Sequence, residues 1–547
     1  MRVRTMTAAV AAAGALVLVL SGCTSDGGGD GGDTAKPVDT DQLVTALPAA
    51  AKDVDSVTWA LVEGEPLSVL PGADYNFVSP NLCTSLLDLQ GDFTIKPGIA
   101  EKADWVDPVT FQIDLRDGVT FWDGEPVTPE DVVYSLTRHW KDVTDAYYGA
   151  FVFVKSIEVT GDAQVTVHFT APDSGFRDAL SGGSGAVLEK AYSEKAGKAL
   201  GTAEGGIMCA GPYQLEKWTP GKDIVTTAYD GYWDGAPKVK TLTYQFISDG
   251  TTLTNALLSG DVDGAFDVPP SSRTSFESSD TGRLVLGPST ASYSFGPLRD
   301  KGLGANIKIR QALSLAIDRQ QYIQTVLHGL GAEQKSFVGP FSWAGSDVAD
   351  IYQAGYDALA APKVDLDAAK KLVEESGEDT SQPIKLAIPA GSKEFSQTAA
   401  IVQAAAQQIG LTVSIQELQA SDYSALFVDD SARGDLDLVA TVGYMETPGV
   451  LTYPQLFVLP PDQGGLFNLS GYDNAEAAGL IQKARTASDA KQAAEDYVQA
   501  QKLFAPDMLQ VTLAGSYHTL FLSNTLTGAV TSVAAYATPW ALHLGGE

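Results

Sequence analysis

The residues able to do chemistry are scattered along this chain and not grouped. Five histidines, His139, His168, His328, His518 and His543, show no HxH or HExxH spacing, and no Cys/His cluster is present to hold zinc. No GxSxG elbow and no Walker A run occurs. A formal GxGxxG at Gly27, Gly29 and Gly32 has no strand before it and no helix after it, so it reads as composition and not as a dinucleotide site. Asp261-Val262-Asp263-Gly264 opens like a calcium loop, but Ala265 follows and no glutamate closes the loop, which leaves a turn between a helix and a strand. Asn468-Leu469-Ser470 matches a glycosylation sequon and nothing more. Among 68 acidic residues a catalytic carboxylate pair would leave no visible spacing, so an enzyme is disfavoured without being excluded. This inventory points to no catalysis, no cofactor and no metal.

The remaining reactive side chains are three cysteines, Cys23, Cys83 and Cys209. Ahead of Cys23 stand Arg2 and Arg4, an apolar run from Ala8 to Leu20 broken only by Gly14, and the small residues Ser21 and Gly22. That is the anatomy of a secretory signal peptide, shorter than the roughly 20 apolar residues a spanning helix needs. Leu20-Ser21-Gly22-Cys23 resembles the lipobox of bacterial lipoproteins, which implies a diacylated Cys23 at the mature N-terminus and no other membrane anchor. The Gly/Asp-rich stretch that follows, to about residue 52, has too little apolar material to fold and reads as a tether. Outside the cytoplasm the two cysteines left over are expected to pair, Cys83 with Cys209. Such a bridge closes a loop of about 126 residues, for which chain entropy gives on the order of 4 to 5 kcal/mol.

Positioning any binding groups requires a scaffold, and 547 residues at 44% hydrophobic supply ample core for one. Val109, Phe111, Ile113 and Leu115 alternate as a half-buried strand, and Thr128-Pro129-Glu130-Asp131 caps a helix running through Trp140. Residues 309–329 keep helical spacing up to Gly329, and helices from Asp367 to Ser376 and from Glu394 to Ile409 follow, interleaved with strands at Ile384–Pro389 and Leu411–Leu418. That order implies an α/β unit with a largely parallel sheet, whereas residues 54–290 are richer in strands and turns. Two units of different texture suggest a ligand cleft between them. The formal charge of −32, from 36 basic against 68 acidic residues, excludes a nucleic-acid or anionic-membrane binder, since there is no basic stripe to displace counterions.

Several segments, in order, resemble one family. They are the stretch Phe111–Tyr134 with its LRDGV, the run Ala210-Gly211-Pro212-Tyr213 with Asp230-Gly231-Tyr232-Trp233, the segment Asn255–Asp263, and Ile309-Arg310-Gln311-Ala312-Leu313 through Ile317-Asp318-Arg319. Together they resemble solute-binding proteins of family 5, which serve ABC importers for dipeptides, oligopeptides and nickel. The resemblance implies an α/β periplasmic-binding-protein-like fold of type II, two lobes with a hinge. Lobe I would comprise 53–287 plus 513–547 with a subdomain inserted at about 75–205, and lobe II would comprise 288–512, after a signal peptide at 1–22 and a tether at 23–52. Arg116, Asp117, Gly118 and Asp131 then build a turn and a cap, and Arg310, Asp318 and Arg319 hold a helix by ion pairs.

Ligand contacts in the family come from segments near and between the lobes, partly through backbone groups that pair with the ligand as a strand. Carried over, they fall on Tyr75, Asn76 and Phe77, on Tyr293, Ser294 and Phe295, and on Tyr444, Met445 and Glu446. The chain departs from the peptide pattern in two places. Glu446 stands as the nearest acid where an aspartate for the ligand's α-amino group is usual, and only Lys393 is available where dipeptide binders carry an arginine. The implied function is therefore capture of a peptide, oligopeptide ahead of dipeptide, by a monomeric lipoprotein on the outer side of a bacterial cell membrane, delivered to permease subunits driven by cytoplasmic ATPases. A nickel chelate, a sugar or another small solute, a signalling role, and an extracellular lipoprotein enzyme are the alternatives.

Overall fold

The computed structural model describes residues 38–73, 76–143, 145–443 and 449–547. The alternating segment forms the strand Thr110–Leu115, which buries Phe111, Ile113 and Leu115. A turn with Gly118 at φ 78° leads toward the helix Pro129–Lys141. Its N-terminus is closed by a capping box in which the Thr128 N–H donates to Asp131 Oδ2 at 3.0 Å. Asp131 Oδ1 also accepts from the Lys190 N–H, which ties the cap to the next segment. The helix buries Val132 and Leu136 against a four-stranded antiparallel sheet in the order Ala100–Asp107, Thr110–Leu115, Gln164–Phe169, Val154–Gly161. Phe111, Phe151 and Phe176 meet edge to face at 5.2 and 5.6 Å and fill this subdomain's own core.

The largest sheet has seven strands in the order Gly282–Gly287, His518–Ser523, Gly264–Phe266, Val54–Leu61, Val239–Phe246, Asp223–Ala228, Tyr213–Thr219. Its core gathers Trp59, Trp540, Phe266 and Phe77, with the two indoles 4.3 Å apart. Cys83 and Cys209 are disulfide-bonded within this core, their Cα atoms 5.0 Å apart, and so join the start of the inserted region to its end.

A separate core lies around a six-stranded sheet, ordered Gly331–Ala332, Val511–Ser516, Ser292–Pro297, Leu438–Gly443, Ile384–Pro389, Val413–Leu418. Only the two pairings of Ile384–Pro389 are parallel. The sheet is mixed where the helix-strand alternation predicts a largely parallel one, because two of its six strands, Ser292–Pro297 and Val511–Ser516, arrive from or leave for the seven-stranded sheet. The chain passes between the sheets at 288–291 and again at Tyr517, where the sequence placed the return near 513.

The helical spacing over 309–329 resolves into two helices, Ile307–Ala316 and Arg319–Thr325. Ile317 is extended between them, and Asp318 caps the second by accepting from the Gln321 N–H. Hydrophobic period alone cannot see such a break, since the apolar face continues across it. Arg310 and Arg319 do hold these helices, but not by ion pairs. Arg310 donates to the carbonyls of Met508, Gly304, Ala305 and Asp507. Arg319 donates to those of Thr512, Ser314 and Ile317 and to Ser314 Oγ. Burial lowers both guanidinium groups to about 10.

Candidate functional site

Four of the expected ligand positions, Tyr75, Tyr444, Met445 and Glu446, lie outside the described residues, as does Cys23. The structure places the other five in the interior or at its edge. Asn76 spends its side chain locally. Its Oδ1 accepts from the N–H groups of Val78 and Ser79 and from Ser79 Oγ, and its Nδ2 donates to the Ser68 carbonyl. Phe77 is buried between Tyr536, stacked at 4.0 Å, and Phe266 at 4.6 Å, while its carbonyl accepts from Trp540 Nε1. Phe295 is fully buried in the second core, and Ser294 Oγ donates to Gln510 Oε1 at 3.1 Å. Only Tyr293 of that trio is not fully buried. The backbone of Ser292–Pro297 is paired along both edges, so this segment has no free edge to accept a ligand as an added strand.

What the fold does bring together is an arrangement that crosses from one sheet to the other. Asp267 follows the short strand Gly264–Phe266 with its backbone at φ 50°, a conformation that aspartate tolerates better than most residues. Its Oδ2 accepts from the Tyr536 hydroxyl at 2.9 Å, and Tyr536 also reaches Glu63 Oε1 at 3.2 Å. His518 lies behind, buried and stacked on Phe266 at 5.0 Å. Its Nδ1 meets the Thr531 carbonyl at 2.9 Å, which makes that nitrogen the donor. Its Nε2 faces Asp267 Oδ1 at 3.7 Å and has no hydrogen-bond partner.

Opposite, Tyr293 sits with Phe395 and Tyr322 at ring distances of 6.3 and 6.4 Å. Burial raises its phenol well above the usual 10, and Tyr322, Glu394 and Asp267 add to the rise, so it stays a neutral donor. Alongside, Arg273 Nη1 donates to the His328 carbonyl across the junction at 2.9 Å. Burial lowers the His328 pKa, helped by Lys393 and Arg273 and opposed by Glu394. The junction therefore offers carboxylates, an unpartnered imidazole nitrogen and neutral phenols around aromatic walls. That set can hold an ammonium group and the apolar part of a ligand. Asp267 and Tyr536 carry no motif in the sequence; they meet because the strand before Asp267 pairs with His518–Ser523 and the chain then returns in a short helical turn, Val533–Tyr536.

A second junction lies at the far side of the inserted subdomain. Arg485, on the helix Ala475–Thr486, donates through Nε and Nη2 to Asp173 Oδ2 at 3.2 and 2.8 Å, and both side chains are buried. Arg485 also reaches Gln455 Oε1 and the Gly149 carbonyl and lies over the Phe153 ring at 4.5 Å. The Ser174 N–H donates to the Arg485 carbonyl at 2.8 Å.

The acidic turn Asp261–Gly264 is tied to the strand Val54–Leu61, where Asp263 Oδ2 accepts from the Thr58 N–H at 2.8 Å. Among the described residues no group of three His, Cys, Asp or Glu side chains could hold a metal ion. The Asn468 amide is buried, donating to the carbonyls of Leu459 and Tyr472.

Comparison with known proteins bears on both fold and class. The chain is 27% identical over 440 residues to the oligopeptide-binding protein AppA of Bacillus subtilis, covering 76% of this chain and 77% of that one. It is 25% identical over 500 residues to the glutathione-binding protein GsiB of Salmonella typhi, covering 89% and 93%. Among solved structures, AppA of Bacillus subtilis in complex with a nonapeptide superposes with a TM-score of 0.78 at 22% identity, covering 91% of this chain and 99% of that one. NikA of Staphylococcus aureus in complex with Ni(L-His)2 gives 0.76 at 18% identity, covering 90% and 100%. These structures show the α/β periplasmic-binding fold of type II, with the seven- and six-stranded sheets at the heart of its two lobes. The family model for bacterial extracellular solute-binding proteins, family 5, matches residues 94–465, and the chain belongs to that family.

Proposed function

We propose that the chain is the substrate-binding lipoprotein of an ABC importer, anchored outside the cell membrane through Cys23, and that it captures an oligopeptide between its lobes for delivery to the permease. Lobe I would be 53–287 with the inserted subdomain and the C-terminal return from Tyr517, and lobe II would be 288–516. The protein acts as a monomer and catalyses nothing. The observation that carries the reading is the Asp267, Tyr536 and His518 constellation opposite Tyr293. A peptide's terminal ammonium can donate to the Asp267 carboxylate, a charge-assisted bond stronger than one between neutral groups. The relatives that bind oligopeptides and glutathione support the same class. Glu446 is a second candidate for the amine, on sequence grounds.

Isothermal titration of the delipidated protein against tri- to hexapeptides tests this. Asp267→Asn weakens a free-amine peptide more than tenfold and leaves its N-acetylated form unaffected; Glu446→Gln does the same if that acid shares the charge. Equal loss for both peptide forms removes the amine reading, and steady peptide turnover overturns the binding role. Palmitate labelling that survives Cys23→Ala overturns the anchor.

A further inference from the structure

The body of the second lobe contains a cavity of about 280 Å³ that is separate from the junction between the lobes. It lies between the helices Ile307–Ala316 and Leu366–Ser376, the chain at Leu359–Pro362, and the strand Val511–Ser516. Its walls are apolar: Leu315, Phe337, Leu359, Leu372, Pro506 and Met508. Three of its polar lining residues, by contrast, are unfinished. Ser336, Thr512 and Gln334 are all at least 95% buried, yet Ser336 Oγ, Thr512 Oγ1 and Gln334 Oε1 have no hydrogen-bond partner. Buried polar groups in native proteins are nearly always paired, so three orphans lining one cavity point to a missing occupant.

Arg319 narrows the chemistry. It lines the same cavity, is 3% exposed, and is hydrogen-bonded to neutral groups alone among the described residues. Its four hydrogen bonds go to neutral oxygens, which leaves one of the five guanidinium N–H groups, on Nη2, without an acceptor. The one carboxylate that acts on it, Glu333, is exposed. A buried cation without a counter-charge is costly, and an anion that enters the cavity removes that cost. The hydroxyls of Ser336 and Thr512 can donate to the same anion, and a half-turn of the Gln334 amide exchanges its Oε1 for a donor. The volume falls just below the roughly 300–1,000 Å³ of pockets for drug-sized ligands, so the occupant is small.

We propose that this cavity is a second ligand site, for a small monocarboxylate with an apolar body, its carboxylate on Arg319, Ser336 and Thr512 and its body against Leu315, Phe337 and Leu372. All of its lining residues lie within 311–512, so it fills independently of the cleft and does not depend on what the cleft binds.

The test is calorimetry and thermal shift of the full chain with hexanoate, hexanamide and hexylamine. Hexanoate binds saturably, hexanamide binds at least tenfold more weakly, and hexylamine does not bind. Thr512→Val and Ser336→Ala each weaken hexanoate at least fivefold without lowering the melting temperature of the free protein, because neither removes an existing side-chain hydrogen bond. Ala361→Trp, at the exposed rim, abolishes hexanoate binding and leaves cleft-ligand affinity unchanged. Absence of saturable binding, equal affinity for hexanamide, or hexanoate binding that persists in Ala361→Trp overturns the proposal.

Discussion

Replacing Asp173 by asparagine is the sharpest perturbation of the junction between the inserted subdomain and the second lobe. Asp173 and Arg485 are both buried and are joined through two N–H groups. Removing one partner of a buried pair costs about 3–5 kcal/mol, because the other is left as an uncompensated charge. Here the lower end applies, since Arg485 keeps its bonds to Gly149 and Gln455 and its seat over Phe153. About 3 kcal/mol is slightly more than a hundredfold in an equilibrium constant. Where that factor is felt depends on which states contain the pair. If the pair forms only on closure, Asp173→Asn drains the closed population, expands the ligand-free protein in small-angle scattering, and weakens ligand binding by up to that factor. If open and closed forms share the pair, affinity is unchanged and the loss appears in urea unfolding. A double-mutant cycle with Arg485→Met measures the coupling. Coupling below about 0.5 kcal/mol, the usual scatter of non-interacting sites, refutes the reasoning that this buried pair holds the junction together.

Two further outcomes follow from residues away from both junctions. The Cys83→Ser/Cys209→Ser variant frees a loop spanning 126 residues of sequence separation. It should lose about 4–5 kcal/mol in urea unfolding under the chain-entropy model; a loss under about 1 kcal/mol would show that the reduced unfolded chain is already compact. Burial pushes the Asp88 carboxyl up to about 6, against the pull of its hydrogen bond from Gln90. Its folded pKa exceeds its unfolded one, so the stability it contributes is complete below about pH 4 and is lost as pH rises through 6. Asp88→Asn should therefore raise the melting temperature at pH 7.5 and leave it unchanged at pH 4; equal shifts at both pH values would contradict the buried-carboxyl account.

Local chemistry was legible in the sequence wherever it was self-contained. Thr128 and Asp131 announce a capping box because both halves of the motif sit within one turn. The alternation of Phe111, Ile113 and Leu115 is visible because one face of that strand is less buried than the other. Ser292–Pro297 gives no such signal: it lies inside a sheet, paired on both edges, and hides Phe295 and Ser294 as readily as a ligand-facing strand would display them. The roles of Arg310 and Arg319 were misread for a related reason. Their carbonyl partners at Asp507, Met508 and Thr512 lie nearly two hundred residues downstream, and backbone oxygens, near or far, carry no sequence signature. Asp267 and Tyr536 were out of reach altogether, separated by 269 positions and joined only by the fold.

The late return of the chain also governs how the protein can be made. Val511–Ser516 lies between two strands of one sheet and His518–Ser523 between two strands of the other. Neither sheet can therefore close its hydrogen-bond ladder, and Arg319 cannot find the Thr512 carbonyl, until this stretch has been delivered. Lobe-by-lobe folding from the N-terminus, the usual route for large chains, is blocked at its last step in both lobes. A polypeptide stopped before residue 511 should remain protease-sensitive and aggregation-prone in both halves, with open sheet edges exposed. Export through a narrow channel, which needs the chain unfolded until its end has passed, would find in this topology a built-in delay.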